Sequence, residues 1–229
     1  AAGAWPSLGV GMAFEPVAST AEAIKAVTTR DMDSLRRMIY AVSDRLSVLA
    51  TGTEPLLDVA ASIGQFEEII NTVMNNHPVL IVDLSGAGPN LKKTILTRAH
   101  EIIVVSTPTL ASLRSARALI QEIKKLHGGQ AQNIDLVINM SGIAPGKEVP
   151  KGDIKSALDV EPEVVLPFDP KLFIGTENEG RKITSEKSGQ DVVSKLLPLA
   201  AKVVSGSIAS VESSDAGLLG GLLGKIKKK

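Results

Sequence analysis

The sequence contains no cysteine, which removes disulfides, iron–sulfur clusters and thiol nucleophiles from the range of chemistries open to it. Aromatic residues are only 3% of the chain, too few for a surface that stacks single-stranded bases. Charge of one sign is lacking too. The 25 basic and 25 acidic side chains cancel, so no overall field draws the chain toward nucleic acid or toward an acidic partner. No run approaches the roughly 18 consecutive apolar residues that a membrane-spanning helix needs. The opening Ala1-Ala2-Gly3-Ala4-Trp5-Pro6 has neither the basic start nor the apolar stretch of a signal peptide. It also lacks an initiator methionine, which leads us to expect a cropped or processed chain. Together these absences suggest a cytoplasmic setting.

What is present suits one folded domain: 229 residues, 44% hydrophobic and 22% charged. Four short apolar runs stand out, Val79-Leu80-Ile81-Val82, Ile102-Ile103-Val104-Val105, Ile134 to Ile138, and Val164-Val165-Leu166. They are continuous rather than alternating, as in strands buried on both faces of a parallel sheet. Leu46 to Leu49 is a fifth candidate. Between them lie helical periods. One runs from Leu56 to Met74; another runs from Leu110 to Leu126, with Thr107 expected as its cap, Pro108 at its first position and Gly128-Gly129 closing it. Strand alternating with helix at this rhythm predicts a doubly wound α/β fold with a mostly parallel sheet. We expect the core to span 1–204, a Ser/Gly-rich flexible linker to span 205–217, and a basic amphipathic tail to span 218–229.

Ligands of open α/β sheets bind at the carboxyl ends of strands, so the strand tips are the places to look. The first run ends in Asp83, a position where a carboxylate either holds Mg²⁺ through its water shell or caps a turn. The third ends in Asn139, whose amide offers a donor and an acceptor to an adenine edge or to loop backbone. The fourth ends in Pro167-Phe168-Asp169-Pro170, where two prolines hold the backbone ready to meet a base. Gly86-Ala87-Gly88-Pro89-Asn90-Leu91 starts like a dinucleotide fingerprint, but Leu91 stands where the third glycine belongs. His77, His100 and His127 match no metal-ligand spacing. No Gly-x-Ser-x-Gly elbow is present, so a serine hydrolase has no support. Lys92-Lys93 and Lys124-Lys125 read as solvated helix faces.

Taken in order, Val82-Asp83-Leu84-Ser85, Val105-Ser106-Thr107-Pro108-Thr109-Leu110-Ala111-Ser112-Leu113-Arg114, Val137-Ile138-Asn139 and Leu166-Pro167-Phe168-Asp169-Pro170 resemble the CpaE/TadZ branch of the ParA/MinD superfamily of P-loop ATPases. Met12 to Pro16, Asp44 to Ala50 and Gly180 to Ile183 extend the resemblance to about residues 8–204. The resemblance implies ATP and Mg²⁺ as cofactors and makes Asp83 the Walker B acid. Asn139 would contact adenine, and the backbone of Pro167, Phe168 and Asp169 would flank the base. It further implies a homodimer acting in assembly and localisation of the Tad (type IVc) pilus machinery, with pilus or secretion proteins as partners, at the inner membrane or a cell pole. The family pattern begins with a strand and a glycine-rich, lysine-bearing phosphate loop. No Gly-x-x-x-x-Gly-Lys-[Ser/Thr] occurs here, and no lysine precedes Lys25. Backbone N–H groups and the lysine of that loop cradle the phosphates. We therefore expect weak or absent ATP binding and no hydrolysis from this chain, leaving its standing as an enzyme open. The family's first strand is central in its sheet, so the fold is expected to be incomplete at its N-terminus, with two unpaired edges.

The alternatives are an active ParA/MinD-like ATPase that positions DNA or the division site, against which the charge balance argues, and a degenerate nucleotide fold serving as an interaction platform. The last stretch resembles the membrane-targeting end of MinD-type proteins. Leu218, Leu219, Leu222 and Leu223 would enter a lipid interface while Lys225, Lys227, Lys228 and Lys229 meet anionic headgroups. Its glycines oppose helix formation, and a solubilising tail is the competing reading.

Overall fold

In the computed structural model of the chain, the described residues are 12, 14, 15, 18–50, 62–129 and 133–212, with side chains described as far as 205. The first of them form a small N-terminal layer. Helix α1 (Thr20–Thr28) starts at Ser19, whose hydroxyl accepts from the Glu22 amide while Glu22 reaches back to the Ser19 N–H, a complete capping box. Helix α2 (Met32–Met38) follows, capped by Asp31. The strands β1 (Ile39–Ser43) and β2 (Leu46–Leu49) pair as an antiparallel hairpin, on which the rings of Phe14 and Tyr40 stack at 4.6 Å. Leu46 to Leu49 is thus a strand, but outside the parallel sheet. The two-residue turn at Asp44-Arg45 folds it back on its own neighbour.

Helix α3 (Ile63–Met74) has a second capping box, built by Ser62 and Gln65. The expected start of this helix at Leu56 falls outside the described residues. Helix α4 (Pro89–Arg98) leads to the main sheet, where β3 (Ile102–Ser106), β4 (Ile134–Ser141) and β5 (Pro162–Pro167) lie parallel in the order β3-β4-β5. Helix α5 (Leu110–Leu126) joins the first two strands and α6 (Lys151–Leu158) the second two. After β5 come α7 (Pro170–Asn178), a 3₁₀ turn at Ile183–Ser185 and the long α8 (Lys187–Glu212).

Two hydrophobic clusters lie on opposite faces of this sheet, which makes it doubly wound. On one face Ile102, Val104, Leu136 and Ile138 pack with Leu113, Ala116, Ile120 and Ile123 of α5 and Ile154 and Leu158 of α6. On the other, Val137, Val164 and Leu166 pack with Leu172 of α7 and Val192 and Leu199 of α8. Burial of each large aliphatic side chain contributes about 1.5–3 kcal/mol. One ionic tie crosses to the sheet. Lys202 on α8 donates to the buried Asp135 carboxylate at 2.7 Å and lies 3.7 Å from Glu101, and the bond to Asp135 raises the lysine pKa.

Three expectations need correction. Val79-Leu80-Ile81-Val82 joins no ladder, and Ile81 is 81% exposed rather than buried on both sides. A strand needs a neighbour for its N–H and C=O groups, and none is present beside it among the described residues. Helix α5 is capped by Thr109 and begins at Leu110, not at Pro108. The Ser112 hydroxyl accepts from the Thr107 N–H at 3.1 Å and holds that residue in the turn before the helix. Finally, α8 continues through Ser205 to Glu212, where a flexible linker was expected. The C-terminal close of α5 is as expected. Gly128 and Gly129 take positive φ, and their N–H groups reach the carbonyls of Lys125 and Lys124.

Gly189 lets the first turn of α8 lie directly against the 3₁₀ turn. A Cβ at that position would stand 1.7 Å from the Ile183 carbonyl oxygen. Gly189→Ala should therefore lower stability by about 1–3 kcal/mol through overpacking. Equilibrium urea denaturation measures it, and an unchanged midpoint would contradict the close approach.

Candidate functional site

The parallel order β3-β4-β5 sets Ser106, Ser141 and Pro167 along one rim, the carboxyl rim where α/β folds place ligands. Asn139 lies inside β4, two residues before its end, and is half-buried. Its Oδ1 accepts from the Met140 N–H at 2.8 Å, while its Nδ2 makes no hydrogen bond among the described residues. Met140 is held at φ 59°, a left-handed conformation that turns the chain out of the strand.

The β5 rim is tied directly to this point. Pro167 pairs in register with Ser141, and the Phe168 N–H donates to the Ser141 carbonyl at 2.7 Å. The tie to Ser141 sets Pro167 and Phe168 beside the end of β4, two residues past Asn139, and Phe168 is 42% exposed. Asp169 is drawn into a different task. Its Oδ1 accepts from the Leu172 N–H at 2.9 Å and caps α7, with Pro170 at the first helical position.

Asp83 stands apart from that group; no contact among the described residues joins it to Asn139 or Phe168. It is exposed, and its Oδ1 accepts from the Ser85 N–H at 2.9 Å. Hydrogen bonds from the Ser85 backbone and side chain hold its carboxyl below the usual aspartate range, so the group stays ionised near neutrality. The side chain thus caps the turn at Ser85. The glycines after it serve the start of α4, where Gly88 is the cap and Pro89 the first helical residue.

Two features of the rim have no signal in the strand-tip reading. Ser106 and Ser112 hydroxyls are 2.8 Å apart, joining the end of β3 to the first turn of α5. Glu148 Oε1 accepts from the Gly142 and Ala144 N–H groups at 2.7 and 3.1 Å, closing the loop that follows β4. The spacing of a carboxylate four to six residues after a glycine turn could have suggested the second. The tail residues Leu218, Leu219, Leu222, Leu223, Lys225, Lys227, Lys228 and Lys229 lie outside the described residues. Among the described residues, no helix is long and apolar enough to cross a membrane, and no cluster of three or more His, Asp or Glu is arranged to hold a metal.

This is the α/β architecture of the ParA/MinD ATPases. The MinD cell-division ATPase of Pyrococcus furiosus superposes with a TM-score of 0.66 at 19% identity, over 86% of this chain and 81% of its own. The ParA family ATPase of Chlorobium tepidum superposes with 0.63 at 16% identity, over 85% and 76%. Pyrococcus horikoshii MinD, solved with Mg-ADP, superposes with 0.63 at 21% identity, over 83% and 76%. At these identities the likeness is one of fold. No family model and no curated protein sequence matches the chain.

The Ser85 bonds give a direct test at Asp83. A folded pKa below the unfolded one adds stability that is present above the unfolded value and is lost as pH falls through the folded one. An NMR titration of the Asp83 carboxyl should give a midpoint below the ordinary aspartate range, and Ser85→Pro should move it back up. An unshifted midpoint in the parent chain would remove the turn-capping role.

Proposed function

We propose that this chain is the nucleotide core and C-terminal part of a Tad (type IVc) pilus assembly and localisation factor of the CpaE/TadZ kind, built on an ATP-binding fold but not itself hydrolytic. The observation that carries the nucleotide half is the 2.7 Å bond from the Phe168 N–H to the Ser141 carbonyl, which ties the β5 rim to the end of β4 two residues past Asn139. An adenine fits that chemistry. The free Nδ2 of Asn139 donates to a ring nitrogen, the Phe168 ring offers an apolar flank, and backbone near Pro167 and Asp169 meets the exocyclic edge. Asp83, ionised and exposed, would hold a water of Mg²⁺, and the cation would offset the phosphate charge. One carboxylate suits a cation that keeps most of its waters.

The pilus assignment rests on the order of the four strand-tip segments over the chain. A protein partner is in keeping with the fold, since one similar structure is the Aquifex aeolicus MinC:MinD cell division protein complex. We read the protein as a cytoplasmic homodimer that works at the inner membrane or a cell pole through pilus partners. The tail from Leu218 to Lys229 would supply weak membrane contact, which two copies strengthen by avidity.

Titration calorimetry with Mg-ATP tests the nucleotide half. This chain should bind at least about 100-fold more weakly than the product of its complete coding region, because no phosphate-cradling lysine loop is in the sequence. Comparably tight binding by the chain alone would defeat the reading. For the tail, replacing Leu222 and Leu223 by Glu should abolish sedimentation with anionic phosphatidylglycerol liposomes. Sedimentation that persists, or never occurs in the parent, removes the membrane role.

A further inference from the structure

Away from the rim, helix α1 packs against both α2 and α3, with Ala26 and Val27 beside Leu35 and Ile69. Helices α2 and α3 meet through this shared neighbour, and an open cleft of about 290 Å³ lies between them. Leu35, Ile39 and Val73 form its apolar wall, and Arg36, Asn76 and His77 form a polar one. The cleft shares no residue with the rim. His77 precedes Val79 to Val82, whereas Asp83 follows them.

The polar wall is rich in donors and has no acid. No Asp or Glu lines the cleft, in a chain with 25 basic and 25 acidic residues. The Arg36 guanidinium meets Asp33 across 3.8 Å, with both side chains 81% exposed, and makes no hydrogen bond among the described residues. A surface pair of that kind contributes little and leaves the fork of N–H groups for a ligand. The half-buried His77 ring likewise has no hydrogen-bond partner among the described residues. The acceptors nearby are already occupied. The carbonyls of Asn71, Val73 and Met74, which a helix end leaves over, take the N–H groups of Asn75, Asn76 and His77, and the Thr72 carbonyl takes Asn76 Nδ2. The partial negative charge of a helix end opposes an anion, but here it is spent on these local bonds. A ligand in the cleft therefore has to bring acceptors.

We propose that this cleft binds a small amphipathic carboxylate, with its charged end on the Arg36 fork beside His77 and its hydrocarbon body on Leu35, Ile39 and Val73. Guanidinium presents planar pairs of N–H groups that match a carboxylate in two parallel bonds. A hydrocarbon body is favoured over a bare anion, because covering the apolar wall contributes about 25 cal/mol per Å². The cleft lies at the lower end of the size range of ligand pockets, about 300–1,000 Å³, so the ligand is small. Since α2 and α3 each supply part of the wall, a bound molecule holds the N-terminal layer on α3. The site stands whether or not ATP binds at the rim.

Octanoate serves as the probe, octylammonium as the same hydrocarbon with the opposite charge, and inorganic phosphate as an anion without a hydrocarbon. In heteronuclear NMR titrations of the protein, octanoate should give saturable shifts at the amides of residues 32–39 and 72–77, with a Kd of about 1 mM or tighter. Octylammonium and phosphate should each bind at least tenfold more weakly. Arg36→Gln should weaken octanoate binding at least tenfold and leave thermal unfolding of the free protein unchanged, because that side chain is exposed. Val73→Phe, which narrows the apolar wall, should weaken it as well. Equal binding of octylammonium overturns the charge selection, and equal binding of phosphate overturns the amphipathic ligand. The proposal also falls if Arg36→Gln binds octanoate unchanged, if no saturation occurs, or if the shifts centre on Ile103, Val105 or Phe168 instead.

Discussion

Almost every other position in the main domain depends on the burial of β4. It is the strand with a ladder on each edge, to β3 and to β5, and helices over both faces. Leu136 and Ile138 look toward α5 and α6, while Val137 looks toward α7 and α8. Because successive side chains alternate across a sheet, a one-residue slip would send Asp135 and Val137 into the first cluster and strand Leu136 on the wrong side. Register is therefore strongly fixed. With it are fixed the levels at which β3 and β5 end, which is what places Ser106, Asn139 and Phe168 along one rim.

Asp135 is the exception that shows how tight this constraint is. A carboxylate on a strand buried on both faces is tolerated because Lys202 reaches it at 2.7 Å. Removing one partner of such a pair leaves a charge in a poor solvent, which costs more than the pair contributes. The tie also selects where α8 lies. Leu199, one turn before Lys202, is buried against the sheet, and Pro198 sits inside the helix beside it. Proline lacks the N–H that an interior turn uses. Helix α8 persists through that position because its apolar face is committed to β4 and β5.

The same commitment explains what could be read from the sequence. Strand β4 was legible because burial on both faces demands a continuous apolar run. Strands β3 and β5 were legible because their runs are short and rich in β-branched residues, although one face of β3 is open, and α5 because its buried residues recur at three and four. The alignment of strand tips on one rim was legible for a related reason, because a parallel sheet ends its strands on the same side. What was not legible depends on partners distant in sequence. Leu46 to Leu49 looks like any short strand, and only its pairing with Ile39 to Ser43 removes it from the parallel sheet. The Asp169 side chain caps α7 by accepting from the Leu172 N–H, a local task that the strand-tip reading did not single out. Thr107 and Thr109 are equal as caps on paper. The Ser112 hydroxyl decides between them by taking the Thr107 N–H. The helix over 205–212 was missed because Ser and Gly propensities are a weak prior beside continuation of a packed helix.

The division within the candidate site follows from these facts. The β4–β5 half of the rim is complete: its strands are paired, its faces covered, its loop closed by Glu148, and its polar groups set by local bonds. The β3 half ends in a bare edge, with Asp83 beyond it on a segment that pairs with nothing among the described residues. An adenine-sized ligand needs only the first half. A triphosphate extends past it, toward β3 and Asp83, and needs backbone donors in the place where the sheet is open. Under the proposed nucleotide reading, the Asp83 carboxylate and the Asn139 amide would be the two ends of one site.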